Sequence, residues 1–164
     1  MKLYVNEKLF SIHDRFFITD EEGNNLYEIT SKLLTIGDKM TIKDMAGNEV
    51  AYIEQELFHL MRHYNIYFHG ELACQIQKKF KLFKHDYELS NGYRIDGNFM
   101  ALDFDVYEGN NKIAHIGRKF FTIGDKYEIE IFDDSKLEII LAIMAAITKD
   151  INNNQAVNVA GSSN

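Results

Sequence analysis

The residues best suited to chemistry gather in the middle of the chain. Lys78-Lys79-Phe80-Lys81-Leu82-Phe83-Lys84-His85 packs lysines into one short stretch, with Arg94 close behind. Residues 57–100 hold six Lys or Arg against four acids, although the chain as a whole carries −7. A local excess of positive charge on an acidic protein favours an anionic head group or phosphate there. A ligand-binding role is therefore expected to fall on Lys78, Lys79, Lys81, Lys84 and Arg94. Side chains alternate along a strand, which puts Lys79 and Lys81 on one face and Lys78 and Lys84 on the other. Only part of the cluster can meet one ligand. The more ordinary account of such lysines is that they keep strand edges soluble and unpaired.

His59-x-x-x-His63 has the spacing that would align two imidazoles on a helix for a metal. The metalloprotease pattern His-Glu-x-x-His is absent, so a loop without a metal is expected. Asp20-Glu21-Glu22-Gly23 and Asp133-Asp134 lack the alternating acids and late Glu of a calcium loop. They read as a solvated turn and a helix cap. The single cysteine, Cys74, lies in Leu72-Ala73-Cys74-Gln75-Ile76 and reads as a small buried hydrophobe. Neither His13-Asp14 nor the serines at 11, 31, 90 and 135 form a nucleophile elbow. Gly-x-Gly-x-x-Gly and Walker loops are absent as well, so no catalytic residue and no cofactor is expected.

The elements that must position these residues are mostly strands. A chain of 164 residues suits one domain. It has no proline, and nine of its ten glycines fall between Gly23 and Gly124, separating short segments rich in β-branched and aromatic residues. Gly23-Asn24, Gly47-Asn48, Asn91-Gly92 and Gly109-Asn110 are turn dipeptides, and Asn91-Gly92 is the strongest two-residue hairpin signal. Hairpin units echo one another: Asp20 to Ile29 resembles Asp44 to Ile53, and Thr-Ile-Gly-Asp-Lys occurs at Thr35–Lys39 and Thr122–Lys126. Such self-similarity suggests a closed or pseudo-symmetric sheet. After Phe132 the pattern changes. Ser135-x-x-Glu138 has the form of a capping box, and Leu137 to Ile147 has no polar face. A helix over about residues 136 to 149 must therefore be covered on all sides, with Ile140, Met144 and Ile147 buried. A single domain is expected over residues 1–151, followed by a polar, frayed tail over 152–164.

The order of these features resembles the LURP-one-related family. The matching stretches are Met1 to Phe17, Gly47-Asn48-Glu49-Val50-Ala51 and Lys119-Phe120-Phe121-Thr122-Ile123-Gly124-Asp125, followed by Asp133-Asp134 and the helix. The resemblance implies a mainly β, tubby-like closed barrel of about 12 strands around a buried hydrophobic C-terminal helix, distantly related to tubby proteins and phospholipid scramblases. It implies little about activity, because fold does not carry function. The expectation is a non-enzymatic binding module that takes an anionic phospholipid head group or a protein partner on the barrel surface. The alternative is an enzyme with a surface cleft and no recognisable catalytic motif. The −7 charge argues against nucleic acid. The charged N-terminus and a longest apolar stretch of Ile139 to Ile147 argue against a secretory signal and a spanning helix. A cytoplasmic protein, peripheral to a membrane, is the expected setting.

Overall fold

The computed structural model describes residues 1–6, 15–32, 37–81, 84–119 and 126–161, with side chains at all of these except 80, 81, 84, 85 and 154–161. The Thr-Ile-Gly-Asp repeats, His13-Asp14 and Ser11 fall wholly or partly outside the described residues. The chain forms β1 (Lys2–Asn6), β2 (Arg15–Thr19), β3 (Asn25–Lys32), β4 (Lys39–Asp44), β5 (Glu49–Glu56) and β6 (His63–Phe68). It continues through β7 (Glu71–Lys81), β8 (Lys84–Leu89), β9 (Tyr93–Asn98), β10 (Asp103–Glu108), β11 (Asn111–Lys119) and β12 (Lys126–Ile131). Among the described residues one α-helix, α1 (Leu137–Gly161), follows.

All twelve strands join one antiparallel sheet in the order β8-β7-β6-β5-β4-β3-β2-β1-β12-β11-β10-β9. The first and last strands close it through the pairing of β1 with β12, for example Leu3 with Ile129. The result is a nearly closed barrel, as expected, with a seam between its two edge strands, β8 and β9. Strand alternation turns one apolar row inward: Ile29 pairs with Ile42, Met40 with Ile53, Ile53 with Ile66, and Ile116 with Ile129. Helix residues Ile140 to Ile147 are all buried in the same core. A sheet with an apolar inner face and a helix with no polar face each supply the cover the other needs.

Two local expectations are corrected. The helix is entered through a 3-10 turn over Asp134–Lys136, capped by Asp133 rather than Ser135. The Asp133 carboxylate accepts from the Ser135 amide at 3.0 Å and from its hydroxyl at 2.7 Å. At its far end the helix passes the expected stop near residue 149 and runs to Gly161. Asp150 and Ile151 are buried there, and Asn153 hydrogen-bonds Asp38, so the helix stays tied to the barrel through residue 153, beyond the apolar run.

The two-residue type I′ turn also falls elsewhere. His69 and Gly70 have φ of 51° and 82° and join the paired residues Phe68 and Glu71. Positive φ at both central residues matches the right-handed strand twist. At Asn91-Gly92 only the glycine has positive φ, and β8 and β9 do not pair. The Ser90 amide instead donates to the Gln75 carbonyl at 3.0 Å, and the Ser90 hydroxyl accepts from the Gln75 amide at 2.8 Å. The strongest hairpin signal thus marks the seam.

The barrel has two unlike ends. Tight glycine turns at Gly23, Gly47, Gly70, Gly92 and Gly109 lie at one. The segments after β5 and β9, the β7–β8 tip and the C-terminal half of α1 lie at the other, as do the strand ends flanking residues 33–36.

Gly97, in β9, faces Phe104 of β10 at φ 148°. A Cβ there would sit 2.4 Å from the Asp103 carbonyl oxygen and 2.5 Å from the Phe104 Cα, both backbone atoms that cannot swing aside. Gly97→Ala is expected to destabilise the fold by about 2 kcal/mol or more, lowering the melting temperature by roughly 5 °C. A thermal melt unchanged from wild type would show that β9 adjusts without cost.

Candidate functional site

The basic cluster divides across the wall of the barrel. Lys78 points inward and is largely buried, with its ammonium 2.7 Å from the Asp150 carboxylate of α1. Asp150 is fully buried and also accepts from the Tyr87 hydroxyl at 2.8 Å and from Arg62 at 3.2 Å. Burial, reinforced by the Asp150 charge, pushes the Tyr87 phenol far above its ordinary range, so it serves there as a neutral donor. A second carboxylate, Asp38, accepts from the Tyr64 hydroxyl at 3.3 Å and faces Lys149 at 3.7 Å. Together these groups bolt the C-terminal half of α1 to β6, β7 and β8. Lys78 is therefore an internal tie.

Lys79 points outward, 2.7 Å from Glu88 and 2.9 Å from the Gln77 amide oxygen. Register sets Lys81 opposite Lys84 at the tip where β7 turns into β8, so these two positions share a face of the sheet, which corrects the expected grouping of Lys84 with Lys78. Arg94 begins β9, which starts from the opposite end of the barrel. It sits 4.1 Å over the Tyr107 ring and pairs with Asp96 at 3.2 Å. Lys79 and Arg94 nonetheless share a seam cleft of about 570 Å³, which Asp86, Glu88 and Asp96 also line. The structure thus brings Lys79 and Arg94 to one cleft, sets Lys81 and Lys84 at the strand tip beyond it, and removes Lys78 to the interior.

Beside that tip lies the segment joining β5 to β6, residues 57–62. Strand β7 overhangs the start of β6, and the Lys78 amide donates to the Arg62 carbonyl at 3.0 Å. Arg62 is in turn held by the Asp150 carbonyl and carboxylate. Anchored at that end, the loop puts Phe58 and Leu60 wholly into solvent, with relative exposures of 103% and 101%. Phe58 also has φ 68°, a left-handed conformation that costs a bulky residue about 1–2 kcal/mol. Exposed apolar surface and backbone strain coincide on one residue, as they do where a loop is shaped for contact. The sequence shows an apolar run, Leu57-Phe58-His59-Leu60-Met61, but no periodicity that marks it as exposed.

The loop also brings Glu56, His59 and His63 together. The His59 Nε2 is 3.4 Å from a Glu56 oxygen, and the two imidazole rings lie 4.0 Å apart. They line a cleft of about 350 Å³ with Gln75, Gln77, Glu88 and Ser90. Burial, with the neighbouring His59, holds the His63 imidazole below its ordinary range. Cys74 is buried, as expected, and burial raises its thiol. Among the described residues, no helix is long and apolar enough to cross a membrane.

The uncharacterized protein YxjI of Bacillus subtilis (strain 168) is 26% identical over 156 residues, covering 94% of this chain and 96% of that protein. The X-ray structure of an Arabidopsis thaliana protein, AT5G01750, matches with a TM-score of 0.59 at 19% identity, over 89% of this chain and 90% of that one. That likeness speaks to the fold alone. The sequence pattern of the LURP-one-related family matches residues 1–148, and on that near-complete match the chain belongs to the LURP-one-related family.

Proposed function

We propose that the protein is a non-catalytic module that docks on an anionic phospholipid surface with the end of the barrel bearing Phe58, Leu60 and the β7–β8 tip. The carrying observation is the full exposure of Phe58 and Leu60 on an anchored loop. Burying a large apolar side chain in an acyl layer is worth about 1.5–3 kcal/mol, so the pair supplies at least about 3 kcal/mol. One apolar signal of this size binds reversibly, and a polybasic patch is the usual second signal. Lys79, Lys81 and Lys84 belong to the same end of the barrel. The −7 charge on the chain repels an anionic surface from other approaches and so favours this orientation. Arg94 starts from the far end of the barrel and flanks the seam cleft instead.

The test is co-sedimentation with phosphatidylcholine vesicles made with and without phosphatidylserine. Wild type is expected to bind the anionic vesicles, and to bind less as salt rises, since exposed charges are screened over about 10 Å at 0.1 M. Phe58→Ser/Leu60→Ser should weaken that binding about hundredfold, the equivalent of about 3 kcal/mol, without moving the melting temperature. Lys79→Glu/Lys81→Glu should weaken it and flatten the salt dependence. Equal, negligible sedimentation of all three proteins would overturn the lipid reading and leave a protein partner for this end of the barrel.

A further inference from the structure

We propose that Glu56, His59 and His63 form a binding site for a divalent transition metal, with zinc as the representative ion. Their ligand atoms all lie within 4.8 Å of one another. Two imidazoles and a carboxylate are a donor set that zinc takes at roughly 2.0–2.2 Å, which puts neighbouring donors about 3.3–3.6 Å apart in a tetrahedron. The His59 nitrogen and the Glu56 oxygen already stand at 3.4 Å. Two of the ligands are built on rigid backbone, because Glu56 and His63 are the last antiparallel pair of β5 and β6. Their side chains leave the same outer face of the sheet, and the loop delivers His59 above them.

A second observation points to a ligand. The Nε2 of His63 is buried and has no hydrogen-bond partner. An unsatisfied buried nitrogen is uncommon in folded proteins and is costly to leave unmade. A metal uses such a lone pair. The neighbouring cleft, lined by Gln75, Gln77, Glu88 and Ser90, leaves room for water or an exchangeable ligand in the fourth position. The sequence conceals this site because its acid stands three residues before the first histidine, and because the ligands meet across a strand pair rather than on a helix.

Coordination would pin His59 to two strand ends and so fix the loop that carries Phe58 and Leu60. The site stands whether or not that loop meets a membrane, and its test uses metal alone. Isothermal titration of the full chain with zinc chloride is expected to show one ion per chain, and cobalt(II) loading should give the visible absorption bands of a low-coordinate site. Zinc should raise the melting temperature, reversibly with a chelator. His59→Gln and Glu56→Gln change half-exposed side chains and should fold as wild type does, yet each should weaken zinc binding about tenfold or more. His69→Gln, in the turn at the other end of the barrel, should leave it unchanged. Absence of zinc binding by wild type, or wild-type affinity in both ligand variants, would overturn the proposal.

Discussion

An aspartate in place of Ala146 is expected to leave no cooperatively folded protein. Ala146 is completely buried, between Ala145 and Ile147, within a stretch from Ile140 to Thr148 that is buried throughout. The barrel wall surrounds this part of α1, so the new carboxylate has no path to water. The core cluster that holds Ala146 contains no cationic side chain to pair with the new charge. The effective penalty for an unpaired buried charge is several kcal/mol even after relaxation, and the added volume contributes about 1–3 kcal/mol more. Typical domain stability is about 5–15 kcal/mol, so the sum removes most or all of it. The measurement is soluble yield followed by a thermal melt monitored by circular dichroism. Ala146→Ser, which can return its hydroxyl to the helix backbone, is the milder control and should fold. A soluble Ala146→Asp protein melting cooperatively near the wild-type temperature would mean that this stretch of α1 is not enclosed.

This helix was the most legible part of the fold. Eleven residues without a polar face have one stable solution in water, namely cover on all sides, and a chain of short strands must supply it. The turn units were legible for a similar reason. In Asp20-Glu21-Glu22-Gly23-Asn24 and Asp44-Met45-Ala46-Gly47-Asn48, the aspartate accepts from the asparagine amide at 2.8 Å in both copies, a local bond that needs nothing from the rest of the chain. What failed was whatever depends on distant partners. Asn91-Gly92 has the composition of a hairpin, yet Ser90 is captured by Gln75 and the strands on either side become barrel edges. Lys78 and Lys79 are indistinguishable by charge, and alternation separates their faces, but only the buried Asp150 shows which face is the interior. Phe58 and Leu60 defeat a hydrophobicity reading altogether, because apolar residues are ordinarily taken as core. The His59-x-x-x-His63 spacing stands out in the sequence, but Glu56 joins it only through a strand register that no local motif announces.

Asp150→Ala is expected to lower the melting temperature by roughly 10 °C while leaving the sheet intact. The substitution removes the acceptor for Lys78, Arg62 and Tyr87 together. Breaking a buried pair by deleting one partner costs about 3–5 kcal/mol, because the surviving charge stays buried without compensation. For a chain of this length each kcal/mol moves the midpoint about 2–4 °C. The loss should be repaired from the other side of the pair. Lys78→Met/Asp150→Leu replaces both charges with apolar groups of similar length, and such exchanges are often neutral or stabilising. The double variant should therefore recover the part of the lost stability that belongs to Lys78, while Tyr87 and Arg62 still lack the carboxylate, a non-additivity that a double-mutant cycle reads directly. Additive losses would show that Lys78 and Asp150 act independently. The cycle also bears on the docking loop, since Arg62, which closes that loop, keeps only its backbone bond to residue 150 once the carboxylate is gone. If the ion pair holds Phe58 and Leu60 in position, the double variant should be stable and yet bind anionic vesicles more weakly than wild type. Stability would then reside in the core, and presentation of the loop in the buried charges that join α1 to the rim.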